Sequence, residues 1–196
     1  MELSKVALSD AEWQMAAVPD FILTKNRVID AVYEIFGELA DDYRKVFARS
    51  ASGYPELAVW SPKISRGEKY EDMPWVMLDY PRCFSETEGH FAIRSFFWWG
   101  HYFSMQLHIS GKYLQEFGPV LPALQASGWY AGYSTEPWNN QLPNAGWTKL
   151  DEEQPVTQAG IFGKAAKKMP ILEWASAKRF YEENYRELNA ALFPGA

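Results

Sequence analysis

With 47% hydrophobic and 22% charged residues, the 196-residue chain is long enough to bury an extensive apolar core as one domain spanning 1–196, and no stretch is apolar for the ~20 residues a membrane-spanning helix needs. A net charge of −6 and a pI near 5.2 set a field that repels phosphate backbones and acidic lipid, so neither nucleic acid nor membrane is an expected partner. The opening MELSKVALSD lacks the features of a signal peptide, and a lone Cys83 permits no intrachain disulfide, so the expected compartment is the cytoplasm.

Ser9 and Glu12 stand at capping-box spacing, which predicts a short helix from Asp10 that stops before Pro19. From Thr24 to Arg49, Val28, Val32, Ile35, Leu39, Tyr43 and Val46 recur at steps of three and four, the pattern of a long helix with one buried stripe. Its acidic and basic residues, including the adjacent Asp41 and Asp42, form the solvated face. Leu57–Ser61 and Trp75–Tyr80 are short aromatic and aliphatic runs predicted as strands, with the polar text SPKISRGEKYEDMP between them expected as loop.

The densest text is FAIRSFFWWGHYFSMQLHIS, from Phe91 to Ser110. Gly100 suggests a two-residue hairpin turn of Gly100 and His101, pairing Trp99 with Tyr102. One face then carries Phe96, Trp98, Phe103, Met105, Leu107 and Ile109, interrupted by Arg94. The other carries Ile93, Ser95, Phe97, Trp99, Tyr102, Ser104, Gln106 and His108, the mixture of a cleft wall. A one-residue slip would exchange these sets.

Tyr113–Phe117 and Pro122–Ala126 are predicted helices, and Trp129–Tyr133 a strand. Ser134–Gly160 has no sustained period, and Trp138 and Trp147 suggest a loop anchored over something, either a lid or a satellite cluster. Lys164, Lys167 and Lys168 are expected on a solvated helix face. From Pro170, the stripe Ile171, Trp174, Ala177, Tyr181, Tyr185, Leu188 and Leu192 predicts a closing helix that ends before Pro194.

Catalytic signatures are weak. His101 and His108 would lie about 23 Å apart along a strand and point to opposite faces, so a shared metal is not expected, and His90 near His108 is too few ligands. Ser104 and His108 would be roughly 13 Å apart, while Ser95 lies on a diagonal from His108. GIFGKAAK fails as a phosphate loop, because Gln158 stands where the first glycine belongs and Ala165 where a hydroxyl belongs. Asp79, at the end of an aromatic strand, is expected to pair with Arg94, ahead of the alternative in which Arg82 or Arg94 binds an anionic ligand group by its planar fork.

The expected architecture is α+β: an antiparallel sheet of about four to six strands from Leu57 to Tyr133, packed against the long N-terminal and C-terminal helices. The leading functional reading is a non-catalytic binding protein for a small molecule or a protein partner. Its site would draw on Ser95, Trp99, Tyr102, Gln106 and His108 of the sheet and on Trp138 and Trp147 of the loop. The alternative is a small-molecule enzyme using His108 as general acid or base with Ser95, Gln106 and Asp79 nearby. No cofactor is indicated.

Overall fold

Ser9 closes the expected capping box: its hydroxyl accepts from Glu12 N at 3.3 Å, and the Glu12 carboxylate accepts from Ser9 N at 2.7 Å, starting α1 (Asp10–Ala16). In the computed structural model, which describes residues 7–50, 53–136, 139–142, 150 and 160–194, α1 leads into α2 (Pro19–Ser50), whose buried stripe is Ile29, Val32, Phe36, Leu39, Tyr43 and Phe47. Val28, Ile35 and Val46, expected in that stripe, form its half-buried border. The first turns bury nothing. Trp13, Met15, Val18, Phe21, Ile22 and Leu23 are all exposed.

Leu57–Ser61 is not a strand. Pro55 at a first helical position starts a single turn, α3 (Pro55–Ala58), which suffices to bury Leu57. The polar text after it, expected as loop, is instead strand β1 (Lys63–Tyr70), paired antiparallel with β2 (Met73–Ser85). Glu71 and Asp72 join them with φ of 48° and 62°, the left-handed pair of a tight hairpin turn. Its period is two, with Ile64 and Arg66 on one side and Lys63, Ser65 and Gly67 on the other. As a polar edge strand it carries little hydrophobic signal.

Strands β3 (Gly89–Trp98) and β4 (Tyr102–Ser110) form the expected hairpin in the slipped register. Trp98, not Trp99, opposes Tyr102, and Gly100, at φ 76°, sits in the middle of a three-residue connection. The slip turns β3 over relative to β4. Phe91, Ile93, Ser95 and Phe97 now share a face with Ile109, Leu107, Met105 and Phe103, while Ala92, Arg94, Phe96 and Trp98 join His108, Gln106, Ser104 and Tyr102. The physical reason is Arg94: this register removes the one charge from the apolar face.

Helices α4 (Lys112–Phe117) and α5 (Leu121–Ala126) and strand β5 (Tyr130–Ser134) follow near their expected places. The lysine-rich text expected on a helix is β6 (Phe162–Pro170), inserted between β4 and β5 in the sheet order β1-β2-β3-β4-β6-β5, antiparallel throughout. A 3₁₀ turn (Ile171–Ser176) enters α6 (Ala177–Leu192), which buries Ala177, Tyr181, Tyr185, Leu188 and Leu192 as the stripe predicts.

Helices α2 and α6 pack on each other and on one sheet face, α2 lying mainly over β2 and α6 over β4. Tyr43 and Tyr185 stack at 3.7 Å, and Phe36 meets Tyr181 edge-on at 5.2 Å. Leu39, Leu107 and Ile109 are all fully buried in this core, each contributing about 1.5–3 kcal/mol by burial. Among the described residues, no helix is long and apolar enough to cross a membrane.

Candidate functional site

The sheet face turned away from the helices is read row by row from the strand register. Gly67, Trp75, Trp98 and Tyr102 make one row, then Ser65, Met77, Phe96 and Ser104, then Lys63, Asp79, Arg94 and Gln106, then Arg82, Ala92, His108 and Lys164. Aromatic residues occupy one end of this face and charged residues the other.

The expected Asp79–Arg94 pair is present and bidentate, with Arg94 Nε donating to Oδ1 at 2.8 Å and Nη2 to Oδ2 at 3.0 Å. Both side chains are buried. Arg94 Nη1 also donates to Asn140 Oδ1 at 3.0 Å, and Asn140 belongs to a segment that the face grips by its backbone. Tyr70 Oη accepts from Asn140 N at 2.7 Å; Tyr102 Oη donates to Asn140 O at 3.1 Å and accepts from Leu142 N at 2.8 Å. Lys168 Nζ donates to Leu142 O at 3.1 Å, and Lys164 Nζ donates to Glu136 O at 2.5 Å and Asn139 O at 3.0 Å. Lys164 is 0% exposed, and burial, with Arg94 nearby, pushes its ammonium down to about 8. Burial likewise pushes the Tyr102 phenol up to about 12.

Beside this clamp lies an open groove of about 480 Å³ over β1, β2 and β3. Its apolar wall is Tyr70, Trp75, Met77 and Phe96. Tyr70 meets Phe96 edge-on at 5.5 Å, and Trp75 lies tilted by 31° to Phe96 at 6.3 Å. Gly67 makes this wall possible, because a Cβ there would stand 2.7 Å from Trp75 Nε1; only glycine lets the indole lie flat across β1. The groove is also lined by Lys63, Lys69 and Arg82 and by the Asp79–Arg94 pair. Among the described residues, no carboxylate oxygen lies within 4.0 Å of a charged nitrogen of Lys63, Lys69 or Arg82. Arg82 Nε donates to Ser61 O at 3.3 Å, and its guanidinium stands over the Trp60 ring at 5.4 Å.

The residues singled out in the sequence are dispersed by the fold. Gln106 and His108 are buried neighbours: Gln106 Oε1 accepts from His108 Nε2 at 2.8 Å, and Gln106 Nε2 donates to Ser104 Oγ at 2.9 Å. Tyr102 joins them on this face as part of the clamp. Trp99 leaves the strand for the β3–β4 connection and lines a separate apolar cleft of about 710 Å³ with Val28, Phe97 and Leu172. Ser95 lies on the opposite, helix-covered face, 2.9 Å from Tyr43 Oη. The expected diagonal from Ser95 to His108 is therefore overturned by the register, and Asp79 is engaged by Arg94. Trp138 and Trp147 lie outside the described residues. The described part of their loop is anchored, through Asn140 and Leu142.

Among the described residues, no three His, Cys, Asp or Glu side chains gather as metal ligands. Tyr70, Trp75, Met77, Phe96 and Lys63 were not singled out as a site from sequence. The available signal was the alternation of KISRGEKY, which puts Lys63, Ser65 and Gly67 on one side of a strand once that segment is given strand structure. No protein-family model matches the chain, and comparison with curated proteins and with solved structures finds no significant match either.

Proposed function

We propose that the protein is a non-catalytic small-molecule-binding protein whose ligand lies in the groove over β1, β2 and β3. One observation carries this reading: a concave space of about 480 Å³ with a wall of Tyr70, Trp75 and Phe96 held open by a glycine beneath the indole. Concave sites lined by aromatic groups with a few polar residues are the usual form of ligand pockets. The setting is the cytoplasm, and the net charge argues against nucleic acid. Thermal-shift profiling against a panel of small aromatic and aliphatic compounds tests the reading, since a ligand present above its dissociation constant raises the midpoint by mass action. Hits should be lost in Trp75→Ala and weakened in Gly67→Val, whose side chain displaces the indole. Hits that survive both substitutions would reject the groove.

A second reading, docking of another protein, is favoured by the N-terminal segment. Val18, Phe21 and Ile22 continue the period of the buried stripe that begins at Ile29, yet they are exposed. Phe21 and Ile22 belong to the same continuous helix as Ile29, so they cannot fold back onto their own core. A second copy of the chain is the occupant we favour, because its apolar cleft at Val28, Trp99 and Leu172 is equally uncovered among the described residues. The arm of α2 ahead of Ile29, Pro19–Val28, is about 15 Å long, and its exchange between copies forms a stable dimer when the two arms and clefts together bury roughly 1,200–2,000 Å². Sedimentation equilibrium should give a dimer that Phe21→Asp/Ile22→Asp converts to monomer; a monomer at 50 µM or more rejects it.

A further inference from the structure

We infer that the groove takes a flat organic anion, an aromatic ring joined through a short spacer to a carboxylate or phosphate, with Lys63 and Arg82 receiving the charged end. The inference rests on the groove being the ligand site. The rows of the sheet face order its chemistry along one direction: Trp75 in the first row, Met77 and Phe96 in the second, Lys63 with the Asp79–Arg94 pair in the third, and Arg82 in the fourth. Adjacent rows are two residues apart, or about 7 Å. A ring seated on the second row therefore places a substituent at the cationic rows when about 7 Å separates ring centre from charge.

Among the described residues, no carboxylate pairs with Lys63 or Arg82 at that end. The Asp79 carboxylate is held by Arg94 Nε and Nη2, which leaves Lys63 and Arg82 as excess positive charge among the described residues, in a chain whose net charge is −6. Two cations at one end of a groove with low-dielectric aromatic walls raise each other's energy, and an anion bound between them relieves that repulsion. Arg82 offers a planar fork suited to carboxylate or phosphate oxygens. Lys69 stands at the rim towards the β1–β2 turn, with the aromatic end, and adds to the attraction without fixing the polarity.

The test uses 3-(2-naphthyl)propanoate and its primary amide, which differ in charge and little in shape, with 2-naphthylethyl phosphate as the phosphate arm, titrated calorimetrically into the full chain. The carboxylate or the phosphate should bind at least tenfold more tightly than the amide at 50 mM salt, and the advantage should shrink at 500 mM salt while amide binding holds. Whichever anion is preferred identifies the head group. Lys63→Gln/Arg82→Gln should bring the anion-to-amide ratio below threefold, and Trp75→Ala should weaken all three probes. Equal binding of amide and anions, with loss in Trp75→Ala, overturns the anion inference and leaves the groove standing. An anion preference that survives Lys63→Gln/Arg82→Gln in a folded variant also overturns it. Binding of none of the three up to millimolar concentration overturns the ligand class, and the groove itself then stands or falls on the thermal-shift panel with Trp75→Ala and Gly67→Val.

Discussion

Removing the Asp79 carboxylate measures how strongly the sheet's polar face depends on its central ion pair. The Arg94 guanidinium donates two bonds to that carboxylate, at 2.8 and 3.0 Å, and is 3% exposed. Asp79→Ala leaves a buried cation without its carboxylate, a change that costs about 3–5 kcal/mol when one partner of a buried pair is lost. The double substitution Asp79→Leu/Arg94→Met removes both charges and fills comparable volume, which by itself is neutral or stabilising by about 1–4 kcal/mol. It also leaves Asn140 Oδ1 without the Arg94 donor, which costs about 1–3 kcal/mol, so the double variant should fall within about 3 kcal/mol of the parent. Urea unfolding at pH 7 measures these differences; at a slope of about 2 kcal/mol/M, Asp79→Ala should lower the midpoint by roughly 1.5–2.5 M. The single variants should therefore be strongly non-additive. If Asp79→Ala costs less than about 1 kcal/mol, or if Asp79→Leu and Arg94→Met add to give the double variant within about 0.5 kcal/mol, the pair is not the organising contact that its burial implies.

Leu39→Ala and Leu107→Ala should each cost about 2–5 kcal/mol by urea unfolding, because both side chains are fully buried in the core between the sheet and helices α2 and α6; a loss below 1 kcal/mol in either would contradict the packing. Gln106→Ala and His108→Ala should each lower stability by about 1–3 kcal/mol, since each breaks the buried Ser104–Gln106–His108 hydrogen bonds on β4, and unchanged stability would point to a ligand role instead. The lowered ammonium of Lys164 predicts a rise in stability with pH. Between about 8 and its unfolded value near 10.5 the unfolded chain binds the extra proton, so stability increases over that window by up to about 3 kcal/mol. Above pH 10 the buried phenols of Tyr43, Tyr181 and Tyr185, raised by desolvation, act in the opposite sense and stability falls. Chemical unfolding from pH 7 to 10 should show the rise in the parent and its absence in Lys164→Met; parallel curves would refute the assignment.

The α+β class, the capping box at Ser9, the existence of a long amphipathic α2 and the buried stripe of α6 follow from the sequence alone, because helix period and capping are local properties that neighbouring residues specify, although α2 begins at Pro19 rather than at Thr24. The Asp79–Arg94 pair was also legible, from an acid and a cation that both needed relief from burial. The β3–β4 hairpin was legible too, but its register and the pairing of β1 and β6 were not. Polar β1 and lysine-rich β6 carry no hydrophobic run, and they are strands because β2 and β4 offer them backbone partners distant in sequence. A one-residue slip at Gly100 moved Ser95 under the helices and Arg94 to the opposite face, a choice made by the cost of burying a cation in the core. The groove lay beyond sequence reasoning for the same reason. Gly67, Trp75 and Phe96 become neighbours only when three strands align, and the register that aligns them is set by tertiary burial rather than by any local signal.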